Sequence, residues 1–152
     1  MASSRSWNAR LSTLASLSVA EWCLLLRARA WMTTAAIALR LLGFERARRL
    51  LEPRAPTTAP PASDDAKALA RFAHVVGLAS RAGLRRHSCL PRSLVLQRLL
   101  IQRGHPAVLR IGVNRDGDKL AAHAWVEIHG ETVGEAADVE ERFAALFPRG
   151  PA

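Results

Sequence analysis

Hydrophobic positions in the first fifty residues recur at helical intervals: Leu11, Leu14 and Leu17, then Trp22, Leu24, Leu25, Leu26, Ile37, Leu41, Leu42 and Leu50. Strand-like alternation is absent from this stretch. Gly43 interrupts it and Pro53 stops it. Residues 53–63 hold four prolines among small and polar residues and read as a stiffened linker. Beyond the linker, Ser63 or Asp64 can cap a helix whose apolar face is Leu69, Phe72, Val76 and Ala79, ending near Gly83. A short basic loop, Leu84 to Ser88, then delivers the chain to a leucine-rich helix that begins at Cys89 and stops at Gly104, with Pro106 beyond. Ser88 suits its N-cap, and Pro91 is tolerated in the first turn because no helical N–H partner is lost there. Leucines all round this cylinder mark a buried central helix.

After Pro106 the period changes to two. Ala107–Val113 and Lys119–Ile128 read as strands around a turn at Asn114–Asp118, and His129-Gly130 turns the chain into a third short strand, Glu131–Glu135. Alternation places His123, Trp125 and Glu127 on one face, with Ala124, Val126 and Ile128 on the other. An acidic helical tail with Phe143, Leu146 and Phe147 is expected to follow. Helices followed by strands predict an α+β fold, a central helix packed on a small antiparallel sheet. Three regions are expected: a helical N-terminal segment over 1–52, a Pro-rich linker over 53–63 and a second unit over 64–152.

Composition narrows the function classes. The chain of 152 residues is 49% hydrophobic, enough for a true core and against wholesale disorder. It is strongly basic, 22 Lys+Arg against 13 Asp+Glu, and the cations are nearly all arginine. No basic cluster is interleaved with aromatics, and no zinc-finger, dsRNA-binding or RRM signature occurs, so a nucleic-acid partner is not expected. Arg5 and Arg10 ahead of Leu11–Ala20 give a weak likeness to a signal peptide, diluted by serines. The uncharged run Ala30–Leu39 is far short of a membrane span, so no membrane partner is expected and a cytoplasmic location is. Two cysteines, Cys23 and Cys89, make no disulfide framework, and with the histidines they show no metal-ligand spacing. No cofactor is implied.

The chemistry lies in three residues. Cys89 starts a helix, where partial positive charge and free N–H groups favour a thiolate and can hold an oxyanion, with Ser88 and the Cys89 N–H at that terminus. His123, mid-strand, can take the thiol proton and return it to a leaving amine. Glu135, twelve residues after His123 and folded back by the His129-Gly130 turn, can fix the imidazole tautomer. Competing bases are His74, His87, His105 and His129; competing acids are Glu127 and Asp138. Glu127 shares a face with His123 but lies ~13 Å along the strand, too far to touch it. Taken singly, Cys89 as a core thiol and His123 as a satisfied sheet residue are the plainer readings; together, with an acid in reach, they read as a cysteine-nucleophile triad.

The runs Cys89-Leu90-Pro91-Arg92-Ser93-Leu94, Arg103-Gly104, Ile111-Gly112-Val113 and Ala122-His123-Ala124-Trp125-Val126-Glu127 resemble, in that order, the B2 leader peptidases of lasso-peptide biosynthesis. The likeness covers about residues 64–147. It implies a transglutaminase-like (papain-like) cysteine peptidase core, with Cys89 as nucleophile, His123 as base and Glu135 at a position where the family usually carries aspartate. It further implies cleavage of a leader from a ribosomally made precursor peptide, ahead of an ATP-dependent lasso cyclase. Single-chain relatives carry an N-terminal leader-recognition domain; the helical N-terminus here resembles instead the split form, served by a separate B1 leader-binding protein. Arg85, Arg86, His87, Arg92 and Trp125 are then candidate contacts for the leader or B1. Two other readings stand beside this one: a transglutaminase-like acyltransferase using an amine in place of water, and a non-catalytic basic binding module.

Overall fold

The computed structural model describes residues 16–53, 65–81, 88–116, 119–136 and 138–146. The expected linker from residue 54 onward, the caps at Ser63 and Asp64, and Arg85, Arg86 and His87 lie outside them. Four helices come first: α1 (Val19–Leu42), α2 (Phe44–Leu51), α3 (Ala66–Arg81) and α4 (Cys89–Ile101). Strands β1 (Ala107–Asp116), β2 (Lys119–Ile128) and β3 (Glu131–Thr132) follow, then a single turn of helix α5 (Val139–Arg142) and a short strand β4 (Ala144–Ala145).

Helix α1 begins in a capping box, in which the Ser18 hydroxyl accepts from the Glu21 N–H and the Glu21 carboxylate accepts from the Ser18 N–H. Glu21 also accepts from Arg71 of α3 at 2.6 Å, and that bond, helped by the Ser18 N–H, pulls its carboxyl down to about 2. Gly43, at φ 77°, supplies the left-handed residue that turns α1 into α2. Leu24, Leu25, Ala28, Met32 and Ala35 of α1 are buried in one cluster with Phe72, Val75, Val76 and Ala79 of α3 and with Leu99 and Leu100 of α4. The N-terminal helices and the unit after the linker therefore share a single core. Arg98 of α4 lies 3.9 Å over the Trp31 ring of α1 and donates to the Leu51 carbonyl of α2 at 2.6 Å. The central helix is thus held from the N-terminal side as well as by the sheet.

The sheet is antiparallel, in the order β3-β2-β1-β4. Val126 and Ile128 point into the helical core, and Trp125 and Glu127 alternate onto the opposite face, as the period of two requires. Both of these are buried, Trp125 at 1% and Glu127 at 3% exposure. Gly112 makes room for the indole: a Cβ there would stand 2.9 Å from the Trp125 ring. His129 (φ 52°) and Gly130 (φ 85°) form the two-residue hairpin turn, pairing Ile128 with Glu131.

Three expectations change. The β1–β2 ladder runs on through Asn114 and Asp116, which pairs with Lys119, so the turn is shorter than its polar composition suggested. The third strand pairs at Glu131 and Thr132, keeps one more bond from the Val133 N–H to the Val126 carbonyl, and bends over Val133, Gly134 and Glu135. Over residues 138–146 the tail is one helical turn followed by a strand against Gly112 and Val113, and Phe147 lies outside the described residues. Gly134 causes the second change: its φ of 75° takes the chain off the ladder, and a Cβ there would lie 2.5 Å from that of Ala73. Gly134→Ala is accordingly expected to lose ~2–4 kcal/mol of stability from left-handed backbone and overpacking together. Adding Ala73→Gly should recover the packing part less the ~1 kcal/mol that a glycine costs within α3, as urea unfolding of the single and double variants would measure.

Candidate active site

Cys89 is the first residue of α4 and is half-buried. The first turn carries no acid to neutralise the helix terminus. Ser88 occupies the N-cap position in extended geometry, but its hydroxyl makes no capping hydrogen bond; its carbonyl accepts from the Arg92 N–H at 3.5 Å. With Pro91 lacking an N–H, the N–H groups of Cys89 and Leu90 are the donors at this terminus.

One turn into the helix, the buried Ser93 hydroxyl donates to the Ala124 carbonyl at 2.7 Å. Residues four apart share a helix face, so this bond docks the Cys89 face of α4 against the strand segment that carries His123. The His123 Nε2 lies 3.6 Å from Glu135 Oε2, and the other oxygen of that carboxylate, Oε1, is paired with Arg92. Phe143 covers the imidazole at 5.2 Å between ring centroids, and Trp125 stacks at 6.4 Å. Burial, then the charges of Arg92 and Arg142, hold the imidazole below its ordinary 6.5. Glu135 does not reverse this because its charge is taken up by Arg92. Burial likewise weakens Arg92's hold on its proton, and the neighbouring charge of Arg81 adds to this.

The structure brings His123 and Glu135 together as expected and places the Cys89 helix start against the same strand. Glu135 lies in a bend, not in a strand. Glu127 is occupied elsewhere, accepting from the Trp125 indole N–H at 3.0 Å and from Arg110 at 3.0 Å. Asp138 is exposed and paired with Arg142 at 3.5 Å. Of the other histidines, His129 is a turn residue, His105 is buried after α4 and His74 lies exposed on α3. Trp125, expected as a leader or partner contact, is instead buried beneath the site, and the guanidinium of Arg92 is committed to Glu135. Sequence reasoning missed Ser93 and Arg92 as site-building residues, although their spacing from Cys89 carried the signal; nothing in the sequence pointed to Phe143. Among the described residues no cluster of His, Cys, Asp and Glu could hold a metal ion, and no helix is long and apolar enough to cross a membrane.

The buried Glu127 is a structural acid. Glu127→Ala, which strands Arg110 and the Trp125 indole, is expected to cost about 3–5 kcal/mol of unfolding free energy. Urea denaturation followed by tryptophan fluorescence would measure it.

Comparison with known proteins agrees with this architecture. The family model for the transglutaminase-like superfamily matches residues 29–148. Neither the curated proteins nor the solved structures return a match. The matched span runs from the middle of α1 to just past β4, enclosing the thiol, the imidazole and the carboxylate, and the chain belongs to the transglutaminase-like superfamily.

Proposed function

We propose that this chain is a cysteine peptidase that removes the leader from a ribosomally made lasso-peptide precursor, working with a separate B1 leader-binding protein. One observation carries the catalytic part: a thiol at an acid-free helix start, docked through Ser93 against a strand whose histidine turns Nε2 toward a carboxylate. With Nε2 facing Glu135, Nδ1 is the nitrogen left for the thiol. In this reading His123 takes the Cys89 proton, the thiolate attacks the scissile carbonyl, and the N–H groups of Cys89 and Leu90 receive the oxyanion. His123 then protonates the leaving amine, and water releases the thioester with His123 again as base. Glu135 holds the tautomer, and Arg92 holds Glu135. The lasso-precursor substrate and the B1 partner are supported by the runs around Cys89 and His123, which resemble the B2 proteins.

Mass spectrometry of the cognate precursor, incubated with and without the B1 protein, is the direct test. A single cut at the leader–core junction is expected, reduced by about 10³-fold or more in Cys89→Ala. Product carrying an added amine in place of water would instead identify an acyltransferase, and an intact precursor with a Cys89 inert to thiol-reactive probes would exclude catalysis.

The pH dependence follows from the imidazole. A base needed in its neutral form and held below its ordinary value stays active into mildly acidic solution, so the acid limb of kcat/KM should fall with a midpoint below 6.5. Removing a nearby cation stabilises the imidazolium. Arg142→Gln should therefore move that limb to higher pH, and a pH–rate profile of both proteins would show it.

A further inference from the structure

A cleft of about 160 Å³ opens between α3, α4 and the bend at 133–135, behind the carboxylate that faces His123. Small residues form part of its walls, beside the apolar Val76, Leu96 and Trp125. Gly134 packs so closely on Ala73 that a Cβ would lie 2.5 Å away, and Gly77 leaves its stretch of α3 bare. The Arg81 guanidinium fills that vacancy in part, its Nη2 lying 3.8 Å from where a Gly77 Cβ would stand. Arg81 therefore folds back along its helix into the cleft. His74, two turns before Arg81 on the same face, lines the cleft too, and Arg92 lines it from α4.

The charges do not balance. Among the described residues Glu135 is the one carboxylate lining this space, and it is paired with Arg92 and faces His123. That leaves Arg81 with no acid among the described residues, beside a second guanidinium that it repels. An apolar occupant would strip water from Arg81 and return nothing, and a basic one would be repelled. A planar carboxylate fits the guanidinium fork with two parallel hydrogen bonds. The volume is that of about five water molecules, room for one acidic side chain.

We propose that this cleft receives the carboxylate of a glutamate or aspartate side chain of the peptide substrate, with Arg81 as the forked donor and His74 at its mouth. The source of the ligand rests on the peptidase reading; its binding does not depend on catalysis. The occupied cleft would set a substrate side chain directly behind the Arg92–Glu135 pair, making an acid in the peptide a determinant of which precursor is cut.

The test is an NMR titration of the full chain with N-acetyl-L-glutamate N-methylamide, its glutamine counterpart and inorganic phosphate. Saturable shifts at Gly77 and Gly134 are expected with the glutamate compound. They should weaken about tenfold or more with the glutamine compound and in Arg81→Gln, the range of a charge-assisted bond. Arg49→Gln, an exposed cation on α2, should leave them unchanged, and His74→Gln should give a smaller loss. Absence of saturation, equal binding of the glutamine compound, or indifference to Arg81→Gln would overturn the proposal. Tighter binding of phosphate than of the glutamate compound would overturn the side-chain assignment. Glutamate binding in a protein that cuts no precursor would leave the site standing and remove the peptidase reading; cutting without glutamate binding would do the reverse.

Discussion

The hydrogen bond from Ser93 to the Ala124 carbonyl is the constraint around which the site is arranged. It joins the only two elements that must meet for a thiol and an imidazole to cooperate, and it does so in a dry interface, where the carbonyl would otherwise lack a partner. Everything that fixes α4 also fixes the thiol. Leu94, Leu99 and Leu100 are buried against α1 and α3, and Arg98 ties the helix to Trp31 and Leu51. Twenty-four residues of α1, outside any obvious chemistry, thereby determine where Cys89 stands.

The second organising feature is electrostatic. A carboxylate 3.6 Å from an imidazole would ordinarily raise its affinity for a proton. Here Arg92 occupies the other oxygen of Glu135, and Arg142 adds a further positive charge, so desolvation by the surrounding rings prevails and the imidazole is kept neutral. Orientation and charge are separated: Glu135 can aim Nε2 without turning His123 into a resting imidazolium. For stability the sign is the same. A histidine whose folded-state affinity for protons is lowered contributes stability above its unfolded value of 6.5, and that contribution is lost as the pH falls through its lower folded value.

Much of this was legible in the sequence because it rests on periodicity. The helical spacing, the change to alternation after Pro106, and Gly104 as a helix stop with φ 87° all follow from local rules. The turn at His129-Gly130 fixed the register closely enough to pair Glu127 with Thr132 and to carry Glu135 back toward His123. What escaped depends on packing between distant segments. Apolar residues lie on every side of α1: Ala28, Met32 and Ala35 are buried, while Val19, Leu26, Ile37 and Leu41 are 53–82% exposed. Such a helix displays no inward face to a reader of spacing, so its place in the common core could not be read from composition or linker prolines. The strand at Ala144–Ala145 is likewise too short to signal itself; it exists because β1 offers an edge at Gly112 and Val113.

The carboxylate itself shows how a long acid can be held beside an imidazole. A glutamate has one more rotatable bond than an aspartate and loses more freedom when fixed. On a regular strand its side chain would stand perpendicular to the sheet; instead Gly134 bends the backbone away from β2 and seats it on Ala73. From that bend the side chain reaches His123, and Arg92 restrains the end that the extra bond would leave loose. Bend, length and clamp are consistent with one another: a shorter acid on this bend would fall back from His123, and a longer one without Arg92 would have no reason to point at it.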